Sequence, residues 1–133
     1  MHKEFVPYEL AVKLKELGFD EPCLSIYDKD NVLQRSLLEY PIINSKNGFQ
    51  WNITTAPLYQ QAFRWFRDNF GLSGWVDESF TTNNRQGVVS VKSPKGLEYI
   101  QSPKSTMFFE TYEEAELACL NKLIEIVQGG QDE

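Results

Sequence analysis

Val88-Val-Ser-Val-Lys-Ser-Pro-Lys-Gly-Leu-Glu-Tyr-Ile100 decides the fold. Its centre, Ser93-Pro-Lys-Gly96, places proline second and glycine fourth, which is tight-turn chemistry. Two strands joined by so short a turn run antiparallel. Working outward, strands are expected at about 74–81, 87–92, 97–101 and 106–110, a β-meander. Thr82-Asn-Asn-Arg-Gln-Gly87 reads as its first turn. Ser102-Pro-Lys-Ser105 repeats the turn chemistry nine residues later. Pro103 cannot donate to a ladder, so it belongs at a strand end, a bulge or an edge.

Helical patterns flank the meander. From about Pro57 to Phe70, residues Leu58, Tyr59, Ala62, Phe63, Trp65, Phe66 and Phe70 fill one arc of a helical wheel, and Gln60, Gln61, Arg64, Arg67 and Asp68 fill the other. Gly71 ends the pattern. After the meander, Thr111 and Glu114 form a Thr-x-x-Glu capping box. The apolar surface that follows, from Ala115 to Val127, is wide. Near the start of the chain, residues 7–17 predict a helix, with Pro7 at its first position and Gly18 at its C-terminal cap. Cys23–Tyr27 and Val32–Tyr40 read as a hairpin across the turn residues Asp28-Lys-Asp-Asn31. In 41–55, Asn44–Gly48 is a loop signal, and Phe49, Trp51 and Ile53 alternate like a short edge strand.

Antiparallel runs with helices between them point to an α+β fold: an antiparallel β-meander sheet with three helices packed mainly on one face. With 133 residues, the expected organisation is a single domain over 1–128, followed by a flexible acidic tail at 129–133. Hydrophobic residues at 41% and aromatics at 14% fit a folded chain with its own core.

Charge is distributed unevenly. Residues 110–133 contain seven acids and one base and so carry the whole net charge of −6, while residues 1–109 balance. Glu113, Glu114 and Glu116 lie at the start of the last helix, where the helix dipole favours negative charge. A sequence pI near 4.8 argues against non-specific binding to nucleic acid or anionic membranes. No stretch approaches the roughly 20 apolar residues of a membrane span, and Met1–Pro7 lacks an apolar signal region, so a cytoplasmic location is expected.

Candidates for catalysis are few. His2 is the only histidine, which leaves no histidine-based triad or multi-histidine metal site within one chain. Cys23 and Cys119 have no metal-type spacing and read as reduced thiols, Cys119 in the core. There is no glycine-rich phosphate loop. Asp28 and Asp30 could hold a cation weakly, but turn formation accounts for them. No enzyme activity, cofactor or metal is expected. A carboxylate-based enzyme would need a deep pocket with convergent acids.

Helix, meander, helix over 57–127 resembles the element order of the double-stranded-RNA-binding domain. That family grips phosphates with a basic turn at the start of its last helix. This chain has Thr111-Tyr-Glu-Glu-Ala-Glu116 there, which repels phosphates, so double-stranded RNA is not the expected partner. A single-stranded nucleic-acid surface is the alternative. Arg64, Arg67, Lys92, Lys95 and Lys104 would meet phosphates, with Trp75, Tyr99 and Phe108 stacking on bases. The simpler reading turns those rings into a core.

Four strings carry a second resemblance: Glu4-Phe-Val-Pro-Tyr-Glu-Leu-Ala11, Leu17-Gly-Phe-Asp-Glu-Pro-Cys23, Ala56-Pro-Leu-Tyr-Gln-Gln-Ala-Phe-Arg-Trp-Phe-Arg67 and Tyr112-Glu-Glu-Ala-Glu-Leu-Ala-Cys-Leu-Asn-Lys-Leu-Ile-Glu125. Together they resemble small uncharacterised proteins of Bacteroides-type gut bacteria and their phages or prophages. The resemblance implies a small accessory protein of a mobile element in a bacterial cytoplasm, without assigning an activity. That it is a non-enzymatic interaction protein is expected from its core signals and its lack of catalytic groups. Its partner would be another protein or a second copy, met through any surplus of the last helix's apolar face.

Overall fold

The computed structural model describes residues 4–35, 54–81, 84–102 and 108–131. It is an α+β structure with three helices and two antiparallel sheets. The strands thus divide between two sheets where a single meander sheet was expected. Contacts group the chain into two compact units, Met1–Tyr59 and Gln60–Glu133. No helix among the described residues is long and apolar enough to cross a membrane.

In the first unit, α1 spans Tyr8–Glu16, with Pro7 as its N-cap, one position earlier than the sequence suggests. Its end is a Schellman motif. Phe19 N–H donates to Leu14 O at 2.9 Å, and Gly18 N–H donates to Lys15 O at 3.1 Å. Gly18 adopts φ 100°, which only glycine holds without strain. The motif also brings Phe19 and Leu14 into the core, where both are fully buried. Strands β1 (Ser25–Tyr27) and β2 (Leu33–Arg35) pair as the expected hairpin, residues 36–40 of its expected second strand lying outside the described residues, and β3 (Thr54–Thr55) pairs with the other edge of β1. Tyr27 Oη donates to Val6 O at 2.7 Å, and Val6 N–H donates to Pro57 O at 2.9 Å. Burial raises the Tyr27 pKa. The expected loop at 44–48 and the alternation of Phe49, Trp51 and Ile53 lie outside the described residues.

Helix α2 (Tyr59–Phe70) begins at the boundary between the units. Tyr59, Ala62, Phe63, Trp65 and Phe66 are buried as the wheel predicts, while Leu58 precedes the helix and is exposed. Leu58 instead bridges Phe5 in an antiparallel pair. Trp65 meets Phe66 and Phe70 edge to face, at 5.1 and 5.2 Å between ring centroids. Gly71, at φ 66°, closes the helix by donating to Arg67 O.

In the second unit, β4 (Ser73–Thr81) and β5 (Asn84–Ser93) form a long hairpin in which Thr81 pairs with Asn84. Strand β5 therefore begins inside the stretch 82–87 that reads locally as a turn. Cross-strand pairing overrides turn-forming composition at Asn84–Gly87. Strand β6 (Gly96–Ile100) follows Ser93-Pro-Lys-Gly96, with Gly96 at φ 129°. Strand β7 (Phe108–Phe109) pairs with the same edge of β5 that β6 uses. Phe108 takes the place opposite Val88 that Gln101 would hold if β6 ran on. Residues 103–107, which include Pro103 and Lys104, lie outside the described residues.

Helix α3 (Tyr112–Gln131) packs on β4, β5 and β7. Ala115, Cys119, Leu120, Leu123, Ile124 and Val127 form its buried stripe at helical spacing. Glu114 N–H donates to Thr111 Oγ1 at 3.1 Å, the first half of the expected capping box. The helix runs four residues beyond Val127, so Gly129 and Gly130 are helical. Asp132 and Glu133 lie outside the described residues.

Candidate functional site

Strand alternation and the observed register sort the side chains of the second sheet onto two faces. One face carries Gly74, Val89, Val91 and Phe109 and lies under α3. It is the core of this unit, and those valines and Phe109 are almost fully buried. Gly74 permits the close approach. A β-carbon there would stand 2.8 Å from Cys119 Sγ and 2.9 Å from Leu123 Cδ1.

The opposite face is a grid of three cross-strand rows. Ser73, Lys92 and Leu97 make the first row, Trp75, Ser90 and Tyr99 the second, and Asp77, Val88 and Phe108 the third. Every exposed large hydrophobic residue on the described strands of this sheet belongs to the grid: Trp75 at 36% exposure, Leu97 at 52%, Tyr99 at 54% and Phe108 at 37%. Ser90 is only 2% exposed, a small side chain between two large rings. Trp75 Nε1 donates to Asp77 Oδ2 at 3.0 Å, which satisfies the indole N–H and fixes the ring along its strand.

The simpler sequence reading turned Trp75, Tyr99 and Phe108 into a core. The register corrects it, because the inward places on the same strands belong to their neighbours Gly74, Ile100 and Phe109. The face also includes Asp77 and Leu97. Register alone reveals Leu97: once Ser93–Gly96 is a turn, it must lie on the same face as Tyr99, two residues away.

Four of the five basic candidates lie among the described residues. Lys92 stands in the first row, and Lys95 is on the adjoining turn, where its N–H donates to Ser93 Oγ at 3.1 Å. Arg64 and Arg67 lie on the exposed side of α2, with Arg67 Nε 3.8 Å from Asp68 Oδ1. Lys104 lies outside the described residues. The acids of α3 are on the far side of the sheet from the grid, because α3 covers the other face.

The apolar stripe of α3 is buried, and Leu117 is the one large hydrophobic residue of that helix that is exposed among those described. A cleft of about 570 Å³ lies between β6 and α3. Four of its polar side chains pair with one another. Lys122 Nζ lies 3.8 Å from Glu98 Oε1, and Asn121 Nδ2 donates to Glu125 Oε1 at 3.3 Å. The cleft therefore presents an ion pair and an amide–carboxylate pair to solvent.

Elsewhere, Asp28 is a turn former. Its Oδ1 accepts from Asp30 N–H at 2.8 Å and from Val32 N–H at 3.1 Å, and its Oδ2 accepts from Gln34. The Val32 bond is the main cause of a lowered pKa, which burial opposes and the Asp30 and Gln34 bonds and nearby Lys29 reinforce. Cys119 is inert in the opposite sense. Burial, with the Glu116 charge behind it, pushes its thiol up to about 12. No cluster of three or more His, Cys, Asp or Glu that could hold a metal occurs among the described residues.

Compared with known proteins, the chain matches no family model, no curated protein and no solved structure.

Proposed function

We infer that this chain is a non-catalytic interaction protein whose contact surface is the grid on the open face of the second sheet. One observation carries the reading: four large apolar side chains, three of them aromatic, stand exposed together on one face while the other face is a packed core. The partnered polar groups of the cleft and the buried, strongly protonated Cys119 support a role without catalysis. The resemblance to Bacteroides-type phage and prophage proteins supports an accessory role in a bacterial cytoplasm.

The reading is tested by placing a photo-crosslinking amino acid at position 99, in the grid, or at position 117, on α3, inside cells that make the protein. Adducts that form at 99 and not at 117 support it. Adducts at 117 alone would overturn it.

Single-stranded nucleic acid is the second reading, favoured by the position of Lys92 beside three exposed rings. It predicts that a short labelled oligonucleotide binds at low salt and dissociates as salt rises. An unchanged signal at low salt rules it out.

A further inference from the structure

Resting on the reading of the grid as a contact surface, we propose that its occupant is a second copy of this chain, bound face to face about a two-fold axis parallel to the cross-strand rows. A two-fold interface requires a self-complementary surface, and the grid is one. The grid carries a cation at one end, Lys92 in the first row, and an anion at the other, Asp77 in the third, both exposed. Between and beside them stand Trp75, Leu97, Tyr99 and Phe108.

A two-fold axis along the middle row reverses the row order of one face over the other. Lys92 then lies over the partner subunit's third row, one strand across from the partner subunit's Asp77. Adjacent strands are about 4.8 Å apart, so the long lysine stem spans that offset. The symmetry makes the contact twice. The same operation sets Leu97 over the partner subunit's Phe108, again twice, and brings the middle-row rings together at the centre. Rotation about an axis parallel to the strands would place Lys92 over its own copy, which is repulsive. The charges therefore select the orientation as well as the partner.

Trp75 contributes through its bond to Asp77. With its N–H directed to that carboxylate along the strand, the indole enters the contact without an unmet donor. The patch is small beside the roughly 800 Å² per partner of a standard interface, so association should fall in the micromolar range.

The test is sedimentation of the full chain over roughly 1–300 µM, the range in which so small a patch would associate. The expected result is a concentration-dependent monomer–dimer equilibrium. Asp77→Lys and Lys92→Asp should each weaken it by on the order of tenfold, because each reversal acts at two symmetric contacts. The double reversal, Asp77→Lys with Lys92→Asp, should restore it in part, because the charges again pair across the two-fold while the Trp75 N–H still lacks its carboxylate acceptor. Tyr99→Ser serves as a second variant that changes no charge and should also weaken the dimer. Unchanged thermal melts would show that each variant folds.

A wild-type monomer throughout the range overturns the proposal. So does a dimer indifferent to both charge reversals and to Tyr99→Ser. A monomer that nonetheless crosslinks through position 99 to another protein, or binds the oligonucleotide, overturns the second copy and leaves the contact surface standing. Absence of any grid-dependent contact removes both.

Discussion

Gly74 lies directly beneath Cys119: a β-carbon on the strand residue would fall 2.8 Å from the helix residue's sulfur. No positive φ is involved, so the glycine is required for space rather than for backbone freedom. Cys119 and Leu123 are both fully buried and cannot move aside without disturbing the stripe. Gly74→Ala should therefore destabilise the fold by about 1–3 kcal/mol, the usual cost of overpacking a close-packed core. Chemical denaturation of the variant beside the wild type measures it, and an unchanged midpoint would show that α3 does not rest on β4 as described.

Cys119 gives a pH signature. Its thiol is pushed up to about 12 in the folded state, from an ordinary value of 9.0. The folded state thus holds its proton after the unfolded chain has released it. The resulting stabilisation of the protonated form is fully present below pH 9 and is lost as pH rises towards 12. Within that window, wild type should lose stability relative to Cys119→Ala at about 1.4 kcal/mol per pH unit. Denaturation of both proteins at several alkaline pH values reads the difference directly, and parallel curves would refute it. Below pH 9, the same burial should keep the thiol from alkylation until the protein unfolds.

Helices were legible in the sequence because capping residues and apolar spacing agree. Gly18 and Gly71 end α1 and α2 where the pattern ends, and Thr111 begins α3. Leu58 failed because wheel position says nothing once the residue lies outside the helix. The meander was legible through Ser93-Pro-Lys-Gly96. The start of β5 was not, because Asn84–Gly87 is turn-like in composition and strand only by virtue of its pairing with β4. The division into two sheets was hidden for the same reason: pairing is a long-range property, and β3 reaches β1 across an interval of 26 residues between Tyr27 and Thr54. At the candidate site, sequence named three of the four exposed large apolar side chains and assigned them to a core. Which face of a strand is covered depends on where α3 lies, and no local pattern in the strands records that.

Asp28 should behave as a structural turn residue. Its carboxylate accepts two backbone N–H bonds and an amide bond, all of which favour the charged form and lower its pKa. A depressed folded-state pKa adds stability above the unfolded value of 3.8, and that contribution disappears as pH falls through the folded value. Asp28→Ala should thus lower the melting temperature at neutral pH, and the gap from wild type should narrow below pH 3.8. Asp28→Asn should retain part of the effect, because the amide oxygen can still accept from Asp30 and Val32. A gap that stays constant with pH would mean the carboxylate's charge has no part in holding the turn.

The acids at the start of α3 can be separated from its cap. Thr111 Oγ1 accepts from Glu114 N–H, which satisfies one of the four backbone donors left over at a helix start. Thr111→Ala removes that acceptor and should cost about 1 kcal/mol at any ionic strength. Glu113 and Glu114 act differently, through charge in the first turn, and both are exposed. Replacing the pair with glutamine should cost less than the cap, about 0.3–1 kcal/mol per residue at low salt, and the penalty should shrink as salt screens the dipole. Equilibrium unfolding of the two variants at low and high salt distinguishes the contributions. A salt-independent penalty for the glutamine pair would mean that these carboxylates act through a specific contact instead of the helix field.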